Sequence, residues 1–280
     1  LSAYVGKVNM DRNSPEFLVE DTYQSLADTK EWLEASTQFG PLVKPIITPR
    51  FVPSCTSELM SGLGKLAKEY NVPVQSHLSE NHGEIDWVAA LHPEAANYTD
   101  VYYEHHLMGT VPTVMAHCIH LSDVEMDRMA ETQTMVSHCP YSNVNLSSGI
   151  APIRKLFERK IPIGLGSDIS GGHIVSMAKV LTEAIGLSKI KWVEVDQTYA
   201  PLTLSEAFYM ATKGGGKFFG KVGSFEKGCE LDALVIDDTT LFDPNERSLE
   251  ERLERWLYVG DDRHIVERYV AGKVVPEPTH

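Results

Sequence analysis

The chain has 280 residues, which suits one large α/β domain or a barrel with a small appendage and leaves little room for two full domains. Lysine and arginine total 25 against 39 aspartate and glutamate residues, a formal net charge of −14. A field of that sign repels nucleic acid and anionic membrane surfaces, so neither is expected as a partner, and a small, neutral or weakly polar substrate is expected instead.

Six short apolar runs, partly β-branched, are typical of buried parallel strands. They are Ala3 to Met10, Val43 to Thr48, Val72 to Ser76, Thr113 to Ala116, Thr134 to Ser137 and Ile161 to Leu165. Helical patterns separate them, over Phe17 to Phe39, Thr56 to Tyr70, Glu84 to Leu91, Ser122 to Glu131 and Ile150 to Arg159. Ser57 and Ser122 stand where N-cap residues are expected.

Alternation of strand and helix predicts an α/β parallel architecture. A closed barrel of this type has eight strands, so six visible runs and an opening inside a strand lead us to expect two strand-helix units upstream of Leu1. An open doubly wound sheet is the alternative, but its phosphate-binding Gly-x-Gly-x-x-Gly turn is missing. The fold predicted here is a TIM-like barrel over residues 1–213.

The last part of the chain predicts a small β-rich appendage over residues 214–280. Helical patterns follow Ile174 through Lys191 and run again from Ser205 to Thr212. Strand signals then occur at Asp232 to Ile236, Trp256 to Val259 and Ile265 to Val275, the last with a turn at Ala271-Gly272. This segment is expected to contribute to a small β-sandwich.

Cysteine usage indicates the redox environment. The four cysteines lie far apart and form no Cys-x-x-Cys pair; they are Cys55, Cys118, Cys139 and Cys229. This pattern predicts a reduced, cytoplasmic protein. No stretch of the sequence approaches the roughly 18 apolar residues of a membrane span.

Charged or metal-binding residue types stand at the ends of successive predicted strands. They are Arg50, His77, His117, His138 and Asp168. Barrel enzymes carry their chemistry at the carboxyl ends of the strands, so these side chains are expected to meet at one rim. A lone histidine or aspartate at a strand end is more often structural, and the recurrence over several strands is what favours a site.

Each candidate residue suits one chemical task. A neutral imidazole at His77 is a good ligand for a borderline metal, and Glu80, three residues on, can exchange protons with a nearby water. Asp168 follows a glycine-containing strand and could bind metal and accept a proton. For His138 the sequence favours a structural role, in which it orients a loop by hydrogen bonding.

Several of these residues lie in motifs of a known family. The motifs are His77-x-x-Glu80, Ala116-His117, His138-Cys139-Pro140-x-Ser142-Asn143 and Gly164-Leu165-Gly166-x-Asp168. They resemble the metal-dependent amidohydrolase superfamily, in its deaminase and chlorohydrolase branch. Gly6-Lys7-Val8-x-Met10-Asp11 and Pro49-Arg50-Phe51 are similar to the members of that branch that act on guanine. The similarity runs from about Ala3 to Ile236.

The resemblance implies a zinc-dependent hydrolase that deaminates guanine to xanthine and ammonia, in a barrel with a β-sandwich built from both chain ends. His77 and Asp168 would be metal ligands that also line the substrate site. Glu80 would carry the proton, His117 and Asp168 would orient the attacking water, and Arg50 and Phe51 would contact the purine. A homodimer is expected, as is usual for soluble enzymes.

One departure from the family pattern is clear. The family's His-x-His pair on the first barrel strand, and a glutamine that reads the base, have no counterpart in this chain. Two of the four zinc ligands are therefore expected upstream of Leu1. The alternatives are a related amidohydrolase acting on an adenosine derivative, a pterin or a triazine, and an inactive remnant if the natural chain is this short.

Overall fold

The computed structural model describes residues 2–276. Its strands, in chain order, are β1 (Ala3–Val5), β2 (Val8–Asn9), β3 (Val43–Pro45), β4 (Thr48–Pro49), β5 (Val74–Leu78), β6 (Thr113–His117), β7 (Met135–His138), β8 (Ile163–Leu165), β9 (Ala233–Ile236), β10 (Ile265–Val270) and β11 (Lys273–Val274). Each of the six predicted apolar runs overlaps a strand, and each of the first two runs overlaps two.

The α-helices are α1 (Thr22–Ala35), α2 (Ser57–Tyr70), α3 (His82–Leu91), α4 (Tyr98–Glu104), α5 (Asp123–Thr132), α6 (Pro140–Asn145), α7 (Ile153–Glu158), α8 (Met177–Glu194), α9 (Leu204–Tyr209) and α10 (Leu249–Val259). Short 3₁₀ turns and one π-helical turn at Met210–Gly214 complete the helical segments. No helix among residues 2–276 is both long enough and apolar enough to cross a membrane.

The chain forms two compact units. The first comprises the chain up to His138 together with Ala151–Pro162. The second comprises Cys139–Ile150 and the chain from Ile163 onward. The predicted boundary between residues 213 and 214 stays a prediction.

Parallel strand pairing organises the first unit. β1 pairs with β3 and β2 pairs with β4, while β5, β6 and β7 form a parallel run in that order. The register places Leu78 opposite His117, so β5 and β6 end at the same level. Carboxyl ends of neighbouring parallel strands are thereby brought side by side, as the sequence predicted for this part of the chain.

In the first unit, the spacing of buried residues along the chain matches the periods of a strand and of a helix. In β5, Val74, Ser76 and Leu78 are buried and the alternate residues are partly exposed, because successive side chains of a strand point to opposite faces. Helix α2 buries a stripe at helical spacing that includes Leu59, Leu63 and Ala67.

An antiparallel sheet forms part of the second unit. β9 pairs with β10, and β10 pairs with β11 across the turn at Ala271-Gly272. Both turn residues have left-handed φ angles, 48° and 75°, which match the right-handed twist of a two-residue hairpin. Helix α10 packs against α8, where the Lys179 ammonium donates to the Tyr258 carbonyl at 3.0 Å.

Two predicted elements are wrong in kind or extent. Trp256 to Val259 is the end of helix α10 and not a strand. Ser248 caps this helix and forms a capping box with Glu251, a helix start signal that outweighs the β-propensity of four residues. The predicted helix from Phe17 to Phe39 is helical as an α-helix only over Thr22–Ala35.

One of the two predicted N-caps is correct. Ser122 caps α5 as expected. The cap of α2 is Thr56, one residue before the predicted Ser57, and its hydroxyl accepts from the Leu59 amide at 3.1 Å. Thr56 also donates to the Asp11 carboxylate, a contact between residues 45 positions apart that the local sequence does not show.

Candidate active site

His77 stands at the end of β5 in a defined tautomer. Its Nδ1 lies 2.5 Å from the backbone carbonyl of Arg50. A carbonyl oxygen only accepts, so Nδ1 carries the proton and the imidazole lone pair is on Nε2. Metal-binding histidines are held in this way, with the second ring nitrogen bonded to a carbonyl or carboxylate.

His117 ends β6 in a conformation that breaks the strand. Its φ is 70° and that of Cys118 is 52°, so two successive residues are left-handed. In a regular strand His117 would point away from the face that carries His77, since it stands opposite Leu78. Instead the two imidazole rings stack, with centroids 5.5 Å apart and an interplanar angle of 22°.

Glu80 is carried on a tight turn after β5. Ser79, immediately before it, has a left-handed φ of 49°. The Ser79 carbonyl accepts from the amides of Ile119 and His120, both at 3.1 Å. The Glu80 carboxylate lies 3.7 Å from His117 Nε2 and is 19% exposed. A carboxylate in this place can reach both a neighbouring imidazole and a water that enters the site.

His138, at the end of β7, is buried and neutral. Burial, and to a smaller extent the nearby His117, lowers its pKa to about 3. Its Nδ1 has no hydrogen-bond partner among residues 2–276. Its structural role stays a prediction.

Arg50 and Phe51 follow β4 directly. The Arg50 guanidinium carbon lies 5.3 Å from the centroid of the Phe51 ring, and that ring meets Trp87 edge-on at 6.4 Å. The Arg50 side chain is exposed while its backbone carbonyl holds His77. The same residue therefore offers a donor fork to solvent and fixes the neighbouring imidazole.

Asp168 belongs to the second unit, after β8, and has a left-handed φ of 43°. A tight loop follows, in which the Gly172 amide donates to the Asp168 carbonyl at 2.6 Å. A Cβ atom at Gly171 would lie 2.5 Å from Asp168 Oδ2 and 2.7 Å from Ser142 Oγ. Only glycine leaves room for the carboxylate in this place.

The residues of the first unit fit part of a metal site. The His77 tautomer presents the nitrogen that a zinc ligand uses, and imidazole with carboxylate is a donor set that zinc accepts. Within the described part of the chain no three His, Cys, Asp or Glu side chains form a group that could hold a metal. His77, Glu80 and His117 are thus brought together without a complete ligand shell.

Sequence reasoning missed the side chains that support these residues. Glu84 and Tyr98 are buried and bonded to each other, and Tyr102 donates to the His77 carbonyl at 2.8 Å. Asn81, three residues before Glu84, is the N-cap of α3 and forms a capping box with it. That spacing was readable as a helix start, but it does not reveal what the buried carboxylate touches.

Fold and site together define a class. The chain belongs to the amidohydrolase family, which it matches over residues 1–275. Among curated relatives it is similar to the guanine deaminase of Dictyostelium discoideum, with 44% identity over 98% of this chain and 62% of the relative. It is also similar to the mouse guanine deaminase, with 41% identity over 98% of this chain and 63% of the relative.

Solved structures agree with this assignment. A guanine deaminase from C. acetobutylicum, solved with guanine bound in its active site, matches with a TM-score of 0.95 and 53% identity over 98% of this chain. The E. coli guanine deaminase matches with a TM-score of 0.88 and 37% identity, also over 98%. This chain covers 65% and 64% of those chains. It therefore spans less than two thirds of the relatives it matches.

The predicted fold class, a TIM-like metallo-dependent hydrolase fold, is confirmed by these matches. A more distant neighbour, an adenosine deaminase from Xanthomonas campestris with bound zinc, shares the fold with a TM-score of 0.81 at 23% identity. Family membership and this neighbour suggest a metal cofactor.

Proposed function

We propose that the complete protein hydrolyses guanine to xanthine and ammonia. The observation that carries the proposal is the similarity, over 98% of this chain and at 53% identity, to a guanine deaminase solved with guanine in its active site. The grouping of His77, Glu80 and His117 at adjacent strand ends supports it, because hydrolytic deamination needs an oriented water and a proton carrier.

The proposed cofactor is one zinc ion per subunit. His77 and Asp168 would hold it, together with two further ligands from upstream of Leu1 in the complete protein. When bound, zinc would lower the pKa of a coordinated water to about 7. The bond from His77 Nδ1 to the Arg50 carbonyl supports the ligand assignment, since it fixes the ring and raises the basicity of Nε2.

In the proposed reaction, the water oxygen bonds to C2 of guanine and the bond from C2 to the amino nitrogen breaks. Glu80 takes the proton of the water and passes it to N3 of the ring. It then carries the second proton of the water oxygen to the amino group, which leaves as ammonia while C2 keeps the oxygen as a carbonyl. His117, 3.7 Å from the Glu80 carboxylate, orients the attacking oxygen together with Asp168. General acid and base groups of this kind contribute about 10²- to 10⁴-fold.

Arg50 and Phe51 are proposed to bind the purine, with His77 and Asp168 lining the same site. The guanidinium offers a planar fork of donors to the carbonyl edge of the base, and the Phe51 ring offers an apolar wall. The exposed Arg50 side chain above Phe51 supports this assignment.

The proposal extends to assembly and location. A homodimer is proposed because dimers are usual among soluble enzymes. A cytoplasmic location is proposed from the free cysteines, and no nucleic-acid or membrane partner is proposed because the net charge is −14. Equilibrium sedimentation of the complete protein measures the assembly directly.

The decisive experiment measures ammonia release by the protein expressed from its complete reading frame. Guanine is the test substrate, with adenine and a triazine as controls. Selective release from guanine is expected. Release from adenine or the triazine alone, or silence on all three in a protein that carries the upstream histidine pair, would move the assignment to another member of the family. Silence in a protein that lacks that pair would favour an inactive remnant.

Arg50→Ala tests the substrate assignment. We expect kcat/KM for guanine to fall by about 10- to 100-fold, because the carbonyl acceptor of the base loses a donor worth about 1–3 kcal/mol. Arg263→Ala is the matched control, since it removes the same charge from a residue that is 84% exposed. An unchanged kcat/KM in Arg50→Ala would contradict the proposed contact.

A further inference from the structure

We propose that Glu84 and Tyr98 are positioning residues of this site, which hold the turn that carries Glu80. The inference rests on the proposed function, because it assigns a purpose to Glu80 within that reaction. Neither residue contacts the reacting groups. They act through the backbone of Glu80 and through the carbonyl of His77.

The Glu84 carboxylate holds the turn by accepting hydrogen bonds from two backbone amides of the turn, and this pair of bonds is called the clamp below. It is 6% exposed, and its Oε2 accepts from the Glu80 amide at 2.8 Å and the Asn81 amide at 3.2 Å. The second of these bonds is the ordinary capping box of α3. The bond from the Glu80 amide is not part of a capping box. It joins the residue before the N-cap to the same carboxylate oxygen.

Tyr98 fixes the other oxygen of that carboxylate. Its hydroxyl donates to Glu84 Oε1 at 2.7 Å and lies 3.5 Å from the His77 carbonyl oxygen. The ring is buried, with 3% exposed. Because both carboxylate oxygens have defined partners, the carboxylate cannot rotate without losing a buried hydrogen bond.

A second tyrosine supports His77 from the same helix. Tyr102 Oη lies 2.8 Å from the His77 carbonyl and 2.8 Å from Ser76 Oγ, which lies 2.7 Å from the Pro49 carbonyl. The two tyrosine rings stack at 5.7 Å. Helix α4 thus places two tyrosine hydroxyl groups near the end of β5. That of Tyr102 donates to the backbone of the strand, and that of Tyr98 donates to the Glu84 carboxylate.

The turn needs such support because of its backbone. Ser79 holds a left-handed φ of 49° immediately before Glu80. A residue other than glycine stays in that region only where its surroundings hold it there. If the hydrogen bond to the Glu80 amide is lost, one of the contacts that hold this turn is removed and the Glu80 carboxylate moves from its place 3.7 Å from His117.

The experiment compares four variants of the complete zinc-loaded protein. Tyr98→Phe removes one hydroxyl, Glu84→Gln keeps the shape of the side chain with one acceptor oxygen, and Glu84→Ala removes the clamp. Tyr70→Phe is the matched control, because its hydroxyl donates to Glu34 at 3.0 Å on the exposed surface. The readouts are kcat, KM for guanine, zinc content, and hydrogen exchange of the Glu80 and Asn81 amides.

Tyr98→Phe is expected to lower kcat at least tenfold while KM stays within threefold and zinc content is unchanged. Glu84→Ala should lower kcat further and accelerate exchange of the Glu80 amide at least tenfold, with Glu84→Gln between the parent and Glu84→Ala in both respects. Tyr70→Phe should match the parent. If Glu84→Ala does not fold, Tyr98→Phe and Glu84→Gln carry the test.

Parental kcat together with parental amide exchange in Tyr98→Phe and Glu84→Gln would overturn the positioning role. A fall in kcat matched by an equal loss of zinc would overturn it as well, since the residues would then serve the metal ligand and not Glu80. A parent that releases no ammonia from guanine refutes the proposed function instead, and in that case the exchange measurement alone decides whether the clamp exists.

Discussion

At the scale of single residues, several candidate residues and their neighbours in each unit have unusual backbone conformations. Ser79, His117, Cys118 and Asp168 all have positive φ, and none is glycine. Such conformations cost about 1–3 kcal/mol each and persist where the surroundings impose them. At His117 the consequence is visible, because the left-handed residue turns the imidazole onto the ring of His77.

Glu80→Gln in the complete protein should retain zinc and lose turnover. The amide keeps the shape of the carboxylate but cannot carry a proton, so kcat should fall by about 10²- to 10⁴-fold. Ammonia release and zinc content measured on the same sample check this. Glu69→Gln, an exposed residue of α2, makes the same change of charge as a control. Activity within tenfold of the parent would remove Glu80 from the proposed reaction.

Gly171→Ala should disturb Asp168 by contact alone. The new Cβ would lie 2.5 Å from Asp168 Oδ2, closer than real Cβ contacts, so the carboxylate or the loop must shift. We expect kcat to fall at least tenfold and zinc content to fall with it. Gly186→Ala, in helix α8, has nothing within 4 Å of the new atom and should raise the melting temperature slightly. Equal activity in both variants would refute the close approach.

At the scale of elements, caps and register decide where the functional residues stand. β5 and β6 end level because Leu78 pairs with His117. The turn after β5 leads into α3, whose capping box involves Asn81 and Glu84, so a helix start and the candidate site share one carboxylate. A substitution of Glu84 is therefore expected to affect both the start of α3 and the candidate site.

Thr56→Ala and Ser57→Ala form a matched pair at the start of α2. Thr56 caps the helix and also donates to Asp11, so its loss should lower the free energy of unfolding by about 1–2 kcal/mol. Ser57 is exposed in the first turn, where alanine should be neutral or slightly stabilising. Urea unfolding of both variants measures the difference. Equal losses would show that Ser57 shares the capping role.

At the scale of the whole molecule, burial of His138 makes stability depend on pH. Its pKa is about 3 in the fold and about 6.5 in an unfolded chain. Between these values the native state binds fewer protons than the unfolded state, so stability is full above pH 6.5 and falls as the pH is lowered towards 3.

From pH 7 to pH 5 this one group should reduce the free energy of unfolding by about 2 kcal/mol. His138→Asn removes the titration, so the variant should lose correspondingly less stability over that interval. Urea unfolding at both pH values measures the two slopes, and His106→Asn, at an exposed position, is the control. The same slope in parent and His138→Asn would show that His138 is not held neutral.

The order of residues was sufficient to predict the strands that carry the site and the residues that end them. Apolar runs and helical spacing are local properties, and in β5 the alternating burial follows directly from them. His77 and His117 were predicted to lie near each other because the carboxyl ends of parallel strands meet at the same edge of a sheet. Where local signals competed, as at Trp256 to Val259, the prediction failed.

The tertiary structure alone decided which atoms meet. The Arg50 carbonyl fixes the His77 tautomer across 27 positions, and Tyr98 reaches Glu84 across 14. Contacts of this range depend on how packed elements approach each other, and no periodic pattern in the sequence encodes them. For the same reason the left-handed turn of His117 could not be predicted, since the surroundings that hold an unfavourable backbone conformation exist only in the folded chain.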